Sequence, residues 1–222
     1  MSKKDPRDMI GYGSKDQKIK WPNNARIAVQ IVLNYEEGAE NCVLNGDNNS
    51  EIFLSEIIGA QPIKGRHINM ESLYEYGSRA GFWRLHKLFQ EKKIPITVFG
   101  VGMALEKNPE VCNAIIEADY EVASHGWRWI DYQNIKKAEE KKHMKLAIQA
   151  HTKIFGERPR GWYTGRCSPN TRDLVMEDGG FLYDSDSYSD DLPYWETRNK
   201  KKQLIIPYTL DNNDMRFATN QG

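Results

Sequence analysis

The sequence predicts an α/β fold built on a parallel sheet, with helices outside it and a site assembled from the loops that follow the strands. Three observations carry this. In the stretch Arg26 to Gly38, RIAVQIVLNYEEG, the run Ile27 to Leu33 is apolar and rich in β-branched residues, with Gln30 as its one polar break, and it stops at two adjacent carboxylates and a glycine. That is the pattern of a parallel strand covered on both faces. The segment Tyr120 to Trp129, YEVASHGWRW, repeats the form, with a short apolar stretch ending in Ser124-His125-Gly126. Between and beyond these two strands, helical and extended patterns alternate along the chain.

The elements follow in order. An extended arm of about residues 1–25 leads into the first strand. The long connection over residues 38–76 walls the site, with a short helix expected near Glu51 to Ile58. Phe82, Trp83, Leu85, Leu88 and Phe89 recur at helical spacing within Gly81 to Lys92 and predict a helix packed on the sheet. Pro95 opens the strand ITVFGVG, and Asn108-Pro109 starts the helix PEVCNAIIEAD. A charged amphipathic helix runs from about Lys136 to Phe155 and stops at Gly156. Gly161 to Thr164 is a short strand. Ser168-Pro169-Asn170 introduces the helix TRDLVMED, Gly179-Gly180 ends it, and FLYDSDSY makes the next strand-to-loop step. Lys200 to Lys202 marks a solvated turn, and Leu204 to Leu210 is the last strand.

Composition narrows the function. Of the 222 residues, 31 are Lys or Arg and 31 are Asp or Glu, a formal net charge of +0. This excludes the basic excess that would hold a nucleic-acid backbone or an anionic membrane. The charged N-terminal stretch lacks the apolar centre of a secretory signal, and no run reaches transmembrane length, so the expected location is cytoplasmic. Cys42, Cys112 and Cys167 are odd in number and form no C-x-x-C, which fits a reducing compartment and argues against a thiolate zinc site. A chain of this length supports one core, and a single domain spanning 1–222 is expected.

Two candidate groups stand at strand ends. Glu36 and Glu37 repel each other, and partial burial raises their pKa, so the pair points to acid/base chemistry or a cation site; the alternative is a pair of turn residues facing water. His125 sits at a strand end followed by glycine, which favours a site role over a structural one. His86, His143 and His151 fall in Lys- and Glu-rich helical patterns and read as solvated. Trp83, Trp127, Trp129, Trp162 and Trp195 are expected mainly in the core, although the same residue type would line a pocket for a small, flat, polar substrate.

These motifs resemble the polysaccharide deacetylase superfamily, and within it the metal-independent allantoinase branch. NYEEG, GSRAGFWRLH, SHGWRWIDY, GWYTGR, SPNTR, FLYDSD, DDLPYW and IPYTLDNNDMRFA carry the likeness along nearly the whole chain. The resemblance implies an irregular (β/α) barrel, incomplete at its C-terminus because family members continue well past DMRFATNQG. Where the deacetylases place the second of two metal-binding histidines, this chain has Trp129, whose indole offers only an N–H. The resemblance therefore implies no metal and no cofactor, with allantoin, a small-molecule substrate, opened at its hydantoin ring to allantoate. Glu36 is the implied base. His125 assists the oxyanion or the leaving nitrogen, and Arg166 orients Glu36. Asp186 would brace Arg166, the competing arrangement being an ion pair of Arg166 with Asp184 or Asp186 that serves the fold alone. Glu37, Trp129, Tyr163, Asp184 and Asp186 complete the implied substrate-binding set. A homo-oligomer is also implied. Two other readings stand beside this one: a metal-dependent carbohydrate N-deacetylase or cyclic imide hydrolase, and an inactive binding or assembly subunit.

Overall fold

The structure is a computed structural model in which residues 7–15 and 17–218 are described. The chain divides into two compact units, Met1–Gln30 and Ile31–Gly222. In the first, Asp8 accepts hydrogen bonds from the N–H groups of Ile10 and Gly11 at 2.9 and 3.0 Å, and a 3₁₀ turn spans Pro22–Asn24.

The second unit carries the sheet. Its strands are β1 Val32–Tyr35, β2 Thr97–Gly100, β3 Glu121–Ser124, β4 Gly161–Trp162, β5 Tyr183–Asp184, β6 Tyr194–Arg198 and β7 Lys201–Ile205. They lie in the order β1-β2-β3-β4-β5-β7-β6. Every pairing is parallel except the β6–β7 hairpin. Among the described residues no pairing joins β1 to β6, so hydrogen bonds do not close the sheet. The helices are α1 Ile68–Tyr76, α2 Phe82–Lys92, α3 Gly102–Lys107, α4 Pro109–Glu117, α5 Lys137–Phe155, α6 Thr171–Asp178 and α7 Met215–Ala218. None is long and apolar enough to cross a membrane.

Side-chain alternation along the strands separates two layers. Val98 faces the helical layer with Phe82, Leu105 and Ile115, whereas its neighbour Phe99 lies on the opposite face with Ala123, Tyr163 and Tyr183. Burying each of these large apolar side chains contributes roughly 1.5–3 kcal/mol. Helix ends follow local chemistry. Asn108 accepts the Val111 N–H at 3.2 Å to begin α4. Gly156 and Gly179, at φ 78° and 72°, adopt the left-handed turns that end α5 and α6. A π turn over Gly77–Gly81 joins α1 to α2 without a break.

Four expectations are corrected. The first strand begins at Val32, not Arg26, because its partner β2 begins at Thr97, which pairs with Val32. Glu51 to Ile58 forms turns instead of a helix. There the Glu51 carboxylate takes the N–H groups of Ile52 and Phe53, and Ser55 Oγ takes that of Ile57, which diverts the donors a helix would use. The last strand is β7, paired in a hairpin with β6, and the turn between them falls at Asn199 and Lys200, both at positive φ. His151 is fully buried, donating from Nε2 to Gly100 O at 3.0 Å, and burial lowers its pKa to about 4. His143 and His86 are likewise partly covered, hydrogen bonded to Tyr132 and Tyr120.

Candidate active site

Parallel pairing with matched register brings the carboxyl ends of β1, β3, β4 and β5 to one edge. Glu36 follows Tyr35 at the end of β1, and His125 follows Ser124 at the end of β3. The two meet: His125 Nε2 lies 3.0 Å from Glu36 Oε1. The other ring nitrogen, Nδ1, lies 3.1 Å from the main-chain oxygen of Tyr163. A carbonyl only accepts, so Nδ1 is the donor in this contact, which leaves Nε2 facing the Glu36 carboxylate. His125 is 2% exposed while the Glu36 side chain is 19% exposed. The histidine is thus fixed beneath the carboxylate, which remains reachable from outside.

Glu37 lies elsewhere. Its carboxylate accepts the Glu36 N–H at 2.9 Å and packs so tightly against the π turn that a Cβ on Gly77 would come within 2.0 Å of it. Burial, with a smaller contribution from the neighbouring Glu36 charge, raises its pKa to about 7.

Arg166, on the loop after β4, is not held by Asp184 or Asp186. Its guanidinium lies 3.8 Å from the centre of the Trp129 ring and 5.0 Å from that of Phe53, and Nη1 is 3.6 Å from Glu51 Oε2. Asp184 pairs with Arg172 from α6 instead. Asp184 is fully buried, and burial raises its pKa while Arg172 offsets part of the effect. Asp186 accepts the N–H groups of Thr164 and Gly165 at 2.8 Å, so it fastens the main chain just before Arg166 rather than the guanidinium. Tyr163 stacks on Tyr208 at 4.8 Å and stands 4.9 Å from the His125 ring, forming an aromatic wall.

Sequence reasoning missed Glu51, Phe53, Tyr74 and Arg172. The Tyr74 ring is 5.9 Å from Trp129, and among the described residues its buried hydroxyl has no hydrogen-bond partner. One signal was available for Arg172: a carboxylate at a buried strand end requires a cation, and SPNTR supplies one.

Glu36 and His125 offer two ligand atoms toward a cation, and the position at which the resemblance implies a third ligand is held by Trp129, whose indole offers only an N–H. Among the described residues no three His, Cys, Asp or Glu side chains gather as a metal site. This donor set does not fit a divalent metal.

The sequence pattern described as polysaccharide deacetylase matches residues 69–178. A Schizosaccharomyces pombe chain assigned as a polysaccharide deacetylase is 44% identical, over 97% of this chain and 73% of its own length. The crystal structure of PuuE allantoinase superposes with a TM-score of 0.95 at 58% identity, covering 99% of this chain and 74% of that one. A chain from Pseudomonas aeruginosa PAO1, assigned as a polysaccharide deacetylase, gives a TM-score of 0.93 at 60% identity over 98% and 73%.

Proposed function

The chain belongs to the polysaccharide deacetylase family, and from that premise we propose that it is an allantoinase-like hydrolase, opening the hydantoin ring of allantoin without a metal. The observation that carries this reading is the Glu36–His125 contact at 3.0 Å, a base and its proton partner at the ends of β1 and β3, with Trp129 at the position where the resemblance implies a metal-binding histidine. The similarity to PuuE allantoinase supports the choice of substrate.

In this mechanism Glu36 removes a proton from water as the oxygen attacks the ring carbonyl, forming a tetrahedral oxyanion. Arg166 supplies positive charge to that oxyanion. The proton passes through the Glu36–His125 pair to the ring nitrogen, the carbon–nitrogen bond breaks, and allantoate leaves with the elements of water added. The Tyr163 carbonyl keeps Nδ1 protonated throughout, so Nε2 alone exchanges the proton with the carboxylate.

The test is allantoin hydrolysis followed by allantoate release, with and without EDTA. Turnover is expected to be unchanged by the chelator. Loss of turnover that zinc restores would overturn the metal-free mechanism. The Pseudomonas aeruginosa and yeast relatives favour a second reading, N-deacetylation of a carbohydrate. Turnover of an acetylated sugar with none of allantoin would select it.

A further inference from the structure

We propose that Glu51, Arg166 and Tyr74, bracketed by the rings of Trp129 and Phe53, form a subsite for a ureido group carried on the ring that Glu36 and His125 open. This rests on the allantoinase-like reading and adds a basis for selectivity to it.

The argument begins with unused hydrogen-bonding capacity. Among the described residues the Arg166 guanidinium makes no hydrogen bond, and its nearest carboxylate oxygen lies at 3.6 Å, beyond hydrogen-bond length. Glu51 is held in place by its Oε1, which accepts the N–H groups of Ile52 and Phe53 at 2.9 and 3.0 Å. Its Oε2 receives only a 3.3 Å bond from Asn41. The Glu51 side chain is 10% exposed, so a carboxylate oxygen with spare acceptor capacity is almost wholly withdrawn from water. The Tyr74 hydroxyl is buried and, among the described residues, without a partner, within electrostatic reach of Glu51, Glu36 and Arg166. The Tyr74 ring lies 5.9 Å from that of Trp129, on which Arg166 rests.

The chemistry of the three groups is complementary to one ligand class. A ureido group is flat and presents a carbonyl acceptor beside N–H donors. A guanidinium only donates, a carboxylate only accepts, and a phenol does either. The Trp129 and Phe53 rings, with centres 3.8 and 5.0 Å from the Arg166 guanidinium and planes 73° apart, hold that guanidinium in place. An acetamido group has the carbonyl and one N–H but ends in a methyl, which would leave Glu51 Oε2 without a donor.

The test compares wild type with Glu51→Gln and Phe53→Ala. Phe53 is 42% exposed, so its truncation leaves the fold intact even if the Glu51 variant is destabilised. The ratio of kcat/KM for allantoin to that for hydantoin, the same ring without the ureido arm, is expected to fall by about 10–100-fold in both variants. An unchanged ratio in folded variants would overturn the subsite. If wild type hydrolyses neither compound, the allantoinase-like reading fails by itself, and the subsite is decided by ligand-observed NMR with N-ethylurea and N-ethylacetamide. Preferential N-ethylurea binding that Glu51→Gln abolishes supports it. Equal binding of the two overturns it.

Discussion

Glu36 has one nitrogen with which to share its proton, because the Tyr163 carbonyl occupies the other side of His125. Glu36→Gln keeps the shape and removes the acceptor, so kcat on allantoin is expected to fall roughly 10²–10⁴-fold with KM and melting temperature little changed. Near-normal turnover would remove Glu36 from the base role. Glu37 makes a different prediction. Its pKa rises from 4.5 to about 7 on folding, so the folded state favours the protonated form. The associated stability is fully present below pH 4.5 and is lost as pH rises through 7, by up to about 3 kcal/mol. Urea unfolding across that window is expected to show a shallower fall for Glu37→Gln than for wild type. The fall will not vanish, since Asp184 is raised in the same direction. Glu36 and His125 were legible in the sequence because each directly follows an apolar strand. Glu51 and Tyr74 were not, because an irregular loop delivers the first and the short helix α1 the second, and their place is set by contacts to Arg166 and Trp129 that no local pattern encodes.

The loops that carry these residues are tied together by one side chain. Arg128, 7% exposed, donates to the main-chain oxygens of Ala39 and Glu40 at 3.1 Å and to both oxygens of Asp47 at 3.3 and 2.5 Å. It joins the loop after β3 to the loop after β1. Arg128→Met is expected to destabilise by about 3–5 kcal/mol, read as a lower urea midpoint, because Asp47 and two carbonyls lose their donor. A change below 1 kcal/mol would show that the loops hold each other without it. Helices α4, α5 and α6 could be bounded from Asn108, Gly156 and Gly179, where the end residue itself creates the cap. The β6–β7 hairpin escaped because its strands, YWETR and KKQLI, lack a clear apolar alternation, and its turn uses Asn199 and Lys200 at positive φ without a glycine.

Across the molecule, stability is concentrated in β2 and its neighbours. All four residues of β2 are buried and paired on both sides, whereas β6 has one partner and mostly exposed side chains. Native-state hydrogen exchange is expected to be slowest at Val98, Phe99 and Ala123 and to be at least 100-fold faster along β6; uniform protection would contradict this. The parallel sheet was legible from the alternation of strand and helix patterns. Its openness depends on which edges pair, and edge pairing leaves no mark in periodicity. The strand order has a temporal consequence. From β1 to β5, strands adjacent in space are adjacent in sequence, so the sheet can lengthen one strand at a time as the chain leaves the ribosome. Glu36 and His125 can meet as soon as β3 has docked, while Asp186, which fastens the main chain before Arg166, arrives only after β5. The proton-sharing pair is therefore ready before the loop that holds the positive charge is anchored, and a nascent chain passes through a stage that has a base without its electrostatic complement.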